Sequence, residues 1–199
     1  MTTDVLGCLV CGVDSYINAS SLLWLEQQWR LKHEDHSDGV IPGEAAAAIY
    51  VNRPPATTQT QVQVTGLGFG QEKATISSEE PLLGLGLTAA ARAALAEAGL
   101  QLHEMDFRLS DATGEAYGCK EQALLVARLH RVWKPEVPHW HCADSIGDCG
   151  AAAGVCQLVI ASQAFRLNFA FGDRAICSTS ATTEDRAVAV LRRHVVPGA

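Results

Sequence analysis

Apolar positions run almost without a break through residues 5–13 and predict a buried strand. A turn follows, then a helix opening at Ser20 or Ser21 with Leu22, Leu25 and Trp29 at helical spacing. Residues 33–43 are polar and glycine-bearing and predict a loop. Residues 45–51 predict a second buried strand, stopped by Asn52-Arg53-Pro54-Pro55. Polar and apolar residues alternate over 59–65, the pattern of a half-exposed strand. An alanine-rich helix is expected over 88–98, with Thr88 as N-cap and Gly99 just past its end. Residues 106–109 predict a short strand, and 115–133 contain a helix with Leu124, Leu125, Leu129 and Val132 on its apolar side. Another strand is expected over 137–142, followed by a buried helix within 150–165 and a closing strand pair at 175–179 and 187–191. Strands that alternate with helices and end in a hairpin predict an α/β chain, a layered α-β-α domain with a five-stranded mixed sheet.

Composition narrows the function classes. The 199 residues suffice for one domain with a real core, and nearly half of them are apolar. A net charge of −7 disfavours nucleic acid and anionic membranes as main partners. No basic segment opens the chain, and the apolar run at 150–165 falls short of the roughly 20 residues of a membrane span. Seven cysteines without regular spacing predict reduced thiols and a cytoplasmic protein.

The candidate metal and nucleotide motifs are weak. Cys8 and Cys11 form a CxxC, but no second pair completes a zinc site, and on a strand they point to opposite faces. His139 and His141 would share a strand face while Cys142 points away, so half-buried strand residues are expected there. Gly66-Leu-Gly-Phe-Gly begins like a dinucleotide fingerprint but has Gln71 at the sixth position, and Gly84-Leu-Gly86 lacks a P-loop lysine. Neither a metal nor a cofactor is expected.

Four further segments matter together. They are Ser37-Asp-Gly-Val-Ile-Pro-Gly-Glu-Ala-Ala-Ala47, residues 86–107, Asp111-Ala-Thr-Gly-Glu-Ala-Tyr-Gly118 and Ile146-Gly-Asp-Cys-Gly-Ala-Ala-Ala-Gly154. In order and spacing they resemble the C-terminal half of the β-ketoacyl synthases, condensing enzymes of the thiolase fold. The resemblance implies a single thiolase-like half-domain over 1–199. Residues 1–43 would carry the last strand of the preceding half and a helical linker, and 44–199 the C-terminal half. It also implies an acyltransferase of fatty acid or polyketide biosynthesis, an acyl thioester or acyl carrier protein as ligand, and a homodimer or an N-terminal-half partner. Thr113, Glu115, Gly147 and Ser178 become candidate substrate-binding residues, with 178–183 in the region of the family's glycine-rich GFGG-type loop.

The departures change the expected chemistry. Asp111 and Asp148 stand where the family has its two catalytic histidines, Ala143 stands at its lysine position, and the half bearing the cysteine nucleophile is expected to lie outside this chain. The histidines donate hydrogen bonds to the thioester oxygen as it becomes negative, whereas an ionised aspartate only accepts. Losing one such donor costs about 3–4 kcal/mol. A carboxylate about 4 Å away adds repulsion on the order of 4 kcal/mol at an effective dielectric near 20. The expectation is a pseudoenzyme. The alternatives are an aspartate pair sharing one proton, catalysis completed by a separate half, and a pure scaffold. Asp148 is read both as a helix cap and as a pocket residue, and Asp111 also as a turn residue.

Overall fold

The computed structural model describes residues 7–53 and 61–194. The expected strand positions Val5, Leu6, Gln59 and Thr60, together with Pro54 and Pro55, lie outside them. Strands β1 (Gly7–Ser15) and β2 (Glu44–Asn52) form an antiparallel two-stranded ribbon, joined by helix α1 (Ala19–Gln27) and a linker. The remaining strands are β3 (Gln61–Gln71), β4 (Phe107–Ser110), β5 (His139–His141), β6 (Arg174–Ser180) and β7 (Asp185–His194). They make one five-stranded sheet in the order β3-β7-β6-β4-β5. It is mixed: β4 runs parallel to β5 and β6, and β7 runs antiparallel to β3 and β6. Because β2 pairs with β1, the ribbon extends through Asn52 and the five-stranded sheet takes up the chain at β3 rather than at residue 44.

Helices α2 (Leu85–Ala98) and α3 (Ala116–Leu129) cover one face of the sheet. Their core joins Leu87, Ala90, Ala94 and Leu125 to Ile176 and Val190. Helix α5 (Ala153–Arg166) covers the other face through Ala161 and Phe165, against Phe107, Leu109 and Leu191. Its start also packs on the ribbon, where Ala152, Ala153 and Cys156 meet Ala45 and Ala47. Helix α5 is therefore a central layer between two sheets. A four-residue helix, α4 (Ala143–Ile146), precedes it. Among the described residues no helix is long and apolar enough to cross a membrane.

Several expectations change in three dimensions. The strands expected at 5–13 and 45–51 form over their described residues, but they are not buried: Cys8 and Cys11 are exposed, and so are Leu9 at 62% and Val13 at 72%. A two-stranded ribbon has only one face to lay on α5, so its other face stays open. Thr88 is not an N-cap. Its hydroxyl donates back to the Gly84 carbonyl, and α2 begins a turn earlier behind a left-handed Gly84. Helix α1 ends before Trp29, which is left-handed and exposed, and Leu25 is its buried residue. Helix α3 likewise stops before the exposed Val132.

The cluster Gly66-Leu-Gly-Phe-Gly is a packing seam within β3. A Cβ on Gly66, Gly68 or Gly70 would run into the α2 carbonyl oxygens of Ala94, Ala90 and Gly86. Glycine lets helix and strand approach to backbone contact. A bulge between Val64 and Gly66 keeps this glycine edge turned to the helix. Gly68→Ala is accordingly expected to cost about 2–3 kcal/mol in urea unfolding, as overpacking does. Gly118→Ala in α3 meets only Ala112, at 3.6 Å, and should be neutral or slightly stabilising in the same assay.

Candidate functional site

The parallel strands β4 and β6 end side by side, with Ser110 opposite Ser178, and their loops open into a cavity of about 440 Å³. The loop after β4 contributes Asp111, Thr113 and Glu115, and the turn into α5 contributes Asp148 and Gly150. The ribbon side contributes Asp14 and Tyr16, and the linker contributes Arg30. The cavity therefore lies where the ribbon, the linker and the sheet meet.

Asp111 follows directly on β4. Its Oδ2 accepts from the Ser180 N–H at 2.6 Å, and its own N–H donates to the Ser178 carbonyl at 3.3 Å. Burial pushes its carboxyl up to about 7. Main-chain hydrogen bonds oppose that rise, while the charges of Asp148 and Glu121 add to it.

Asp148 faces the cavity but is the N-cap of neither helical segment that follows: the 3₁₀ turn starts behind Cys149 and α5 behind Ala152, each without a side-chain cap bond. Its Oδ1 accepts from the Gly150 N–H at 3.0 Å, at the single 3₁₀ turn Gly150–Ala152 that leads into α5. The next free N–H, that of Ala151, is taken by Asp14 Oδ2 at 2.9 Å. Burial raises the Asp148 carboxyl; the Gly150 bond and Arg30 oppose this, and Glu115 and Asp14 reinforce it. The Asp148 peptide is held on both sides, its N–H donating to Ile41 O at 2.7 Å and its carbonyl accepting from Gly43 N at 2.8 Å.

Four expected site residues, Asp111, Asp148, Thr113 and Glu115, line this cavity. Glu115 is committed to Arg30, whose Nε and Nη2 donate to its two oxygens at 2.7 and 2.8 Å. Asp38 Oδ1 accepts from the Ala116 N–H at 2.7 Å, a second tie between the linker and this loop. Thr113 Oγ1 accepts from the Glu115 N–H at 3.5 Å.

Gly147 and Ser178 are not in the wall. Gly147 has φ +71°, and a Cβ there would meet the Ile41 and Pro42 carbonyls at 2.7 and 2.9 Å, so its role is to let the two segments pack. Ser178 is buried within β6, where its Oγ accepts from Gln122 Nε2 at 3.0 Å and donates to Leu109 O at 3.3 Å. Ala143 opens α4, away from the lining. His139 and His141 sit on β5 with ring centroids 4.2 Å apart, and His139 Nε2 is 2.9 Å from Ser110 Oγ. Burial, with Arg108 and His141 beside it, lowers the His139 imidazole to about 3. Among the described residues no three His, Cys, Asp or Glu side chains converge as a metal site would require.

Sequence patterns alone missed the group that braces the wall. Arg186 and Glu121 are almost wholly buried, and Arg186 Nε donates to Glu121 Oε1 at 2.7 Å. Arg186 Nη1 also donates to the carbonyls of Ala181, Thr183 and Asp185 at 3.1, 2.8 and 2.9 Å. Its Nη2 donates to the Tyr117 hydroxyl at 2.8 Å, which donates in turn to Ala74 O at 2.7 Å. Ser180 Oγ donates to Glu121 Oε2 at 2.7 Å, so one residue serves both the pair and Asp111. A visible clue is Glu121 four residues before Leu125, on the inner face of α3. Tyr16, Asp14 and Arg30 carried no comparable mark.

No protein-family model and no curated protein matches the sequence. Solved structures do match in fold. An oxazolomycin ketosynthase domain, OzmH KS7, of Streptomyces albus JA3453 superposes with TM-score 0.81 at 17% identity, over 98% of this chain and 43% of that one. The ketosynthase ApeO in complex with its chain length factor ApeC, from Xenorhabdus doucetiae, gives 0.79 at 16%, over 96% and 54%. A β-ketoacyl synthase from Burkholderia phymatum STM815 gives 0.78 at 14%, over 96% and 56%. The chain thus has the layered thiolase-type fold of these ketosynthases and spans about half their length.

Two outcomes follow from the geometry. Asp111 binds its proton more tightly when folded, at about 7 against the ordinary 3.8 of an aspartate. The stability it contributes is therefore full below pH ~4 and lost as pH rises through ~7. In thermal melts Asp111→Asn should equal the parent near pH 4 and exceed it near pH 8. Glu121→Ala strands the Arg186 charge and should cost about 3–5 kcal/mol in denaturant unfolding.

Proposed function

We propose that this chain is a ketosynthase-like half that holds an acyl thioester, free or on an acyl carrier protein, without performing decarboxylative condensation. We propose further that it packs against a partner supplying the N-terminal, nucleophile-bearing half. The observation that carries the first statement is the pair of carboxylates on the cavity wall. Asp111 and Asp148 each already accept a main-chain N–H, so an ionised form of either presents lone pairs where condensation needs donors.

The partner reading draws on the open face of the ribbon. Leu9, Val13 and Tyr50 project from it with more than half their surface exposed, and Leu67 and Phe69 are exposed on β3. Apolar faces of this kind mark interaction sites. The half-length match to ketosynthases, one of them solved with its chain length factor, supports an occupant of the same fold rather than an unrelated protein. Seven free thiols fit the cytoplasm as its location.

A second reading keeps catalysis. With its carboxyl raised to about 7, Asp111 retains a proton on a fraction of molecules at neutral pH, and a protonated carboxyl donates. A separately supplied half would then bring the cysteine.

Native and denaturing mass spectrometry of the chain with acyl-carrier thioesters, with and without a candidate N-terminal half, separates these readings. The expected result is a noncovalent acyl-thioester complex, a 1:1 complex with the N-terminal half, and no loss of CO₂ from a malonyl thioester. A condensation product whose yield falls as pH rises through ~7 establishes the second reading instead. A stable monomer that binds neither thioester nor half overturns both.

A further inference from the structure

The binding reading leaves open which group meets the thioester oxygen once both aspartates are accounted for. Asp111 and Asp148 accept from Ser180 and Gly150, and Glu115 is closed by Arg30. Ser180 Oγ donates to Glu121, and Gln122 Nε2 to Ser178. The hydroxyls of Tyr16, Thr113, Thr179 and Thr182 on this wall donate to no group among the described residues, and that of Tyr16 is the one placed against the turn after Asp148. Tyr16 stands just past the end of β1, anchored by its own N–H to Gly43 O at 2.9 Å. Its side chain reaches into the cavity, and a Cβ built on Gly150 would lie 3.0 Å from Tyr16 Cζ, the atom that bears the hydroxyl. The phenol thus sits against the turn whose N–H groups Asp148 and Asp14 occupy. Among the described residues its hydroxyl donates to no group. Burial and the neighbouring Asp148 and Asp14 raise it above an ordinary tyrosine, which keeps its proton in place at neutral pH.

We propose that Tyr16 is a ligand-binding residue whose hydroxyl donates to the carbonyl oxygen of the bound acyl thioester, and that the cavity takes thioesters whose acyl group carries no charge. The proposal rests on the acyl-thioester reading above. A phenol is a neutral donor, and beside two aspartates it is the donor that stays protonated as pH rises. Arg30 lies in the same wall with Nε and Nη2 on Glu115, and its Nη1 has no partner among the described residues. Asp14, Asp111 and Asp148 on the same wall repel an acyl group that ends in a carboxylate. The ribbon therefore contributes chemistry to the cavity as well as packing to α5.

The test is calorimetric titration of the full 199-residue chain and its Tyr16→Phe variant with three probes. These are S-octanoyl-pantetheine, the S-octyl thioether in which CH₂ replaces the carbonyl, and S-malonyl-pantetheine. The parent should bind the thioester about five- to tenfold more tightly than the thioether, the worth of one hydrogen bond. Tyr16→Phe should erase that difference while leaving thioether affinity unchanged, and the malonyl probe should bind the parent more weakly than either. A variant that loses affinity equally for thioester and thioether, or that keeps the difference between them, overturns the assignment of Tyr16 and leaves the acyl-thioester reading standing. Tighter binding of the malonyl probe overturns the charge selectivity. A parent that binds no octanoyl probe overturns the acyl-thioester reading itself, and the proposal with it.

Discussion

The buried pair Arg186–Glu121 is the constraint on which the site depends. Neither charge reaches water, so each must be satisfied inside the protein. Arg186 does this with the carboxylate of Glu121, three carbonyls of the β6–β7 turn and the Tyr117 hydroxyl. The guanidinium thereby fixes a turn that would otherwise be an ordinary surface loop. The Glu121 oxygen left over takes the Ser180 hydroxyl, and Ser180 presents its N–H to Asp111. A strand, a helix and a loop thus converge through two charges, and the position of the cavity carboxylate follows from them.

Small residues set the second constraint, the closeness of the layers. Along β3, glycines let α2 settle carbonyl-deep on the sheet, and alanines on the helix match them. At the start of α5 the same economy of side chain operates against the ribbon, where Gly12 would bring a Cβ to 3.0 Å from the Ala151 carbonyl. Two sheets can therefore share one helix. The arrangement needs an α5 that is apolar nearly all round, which explains the long run of apolar residues that feeds it.

The alternation of strand and helix was legible because periodicity depends on local burial, and the expected five-stranded mixed sheet forms, although it takes up the chain at β3 rather than at residue 44. Burial was misjudged at β1 and β2, where the ribbon has only one face laid on α5. The nearly unbroken apolar runs of β1 and β2 describe strands covered on both faces, but here one face of each is open. Thr88 was misplaced because a hydroxyl bonded to the carbonyl four residues back looks, in sequence, like a cap. At the site, Asp111 and Asp148 could be found because motif and spacing mark them. Ser178 lies in the expected strand but is turned inward toward Gln122, off the cavity wall. Tyr16 and Arg30 reach the cavity from more than 80 residues away in sequence from Asp111, a juxtaposition that no local pattern encodes.

One feature of the linker between α1 and β2 has a wider consequence. Arg30 and Asp38 hold the loop at Glu115 and Ala116, and the main chain at Ile41 and Gly43 holds Asp148. The two acid-bearing loops are thus fastened to a common third segment that belongs to neither. The gap between the carboxylates is in effect a ruler carried by residues 30–43. The hairpin at His33 and His36, which bonds to itself, can vary in length without altering that ruler, whereas one residue gained or lost between Asp38 and Gly43 would recalibrate it.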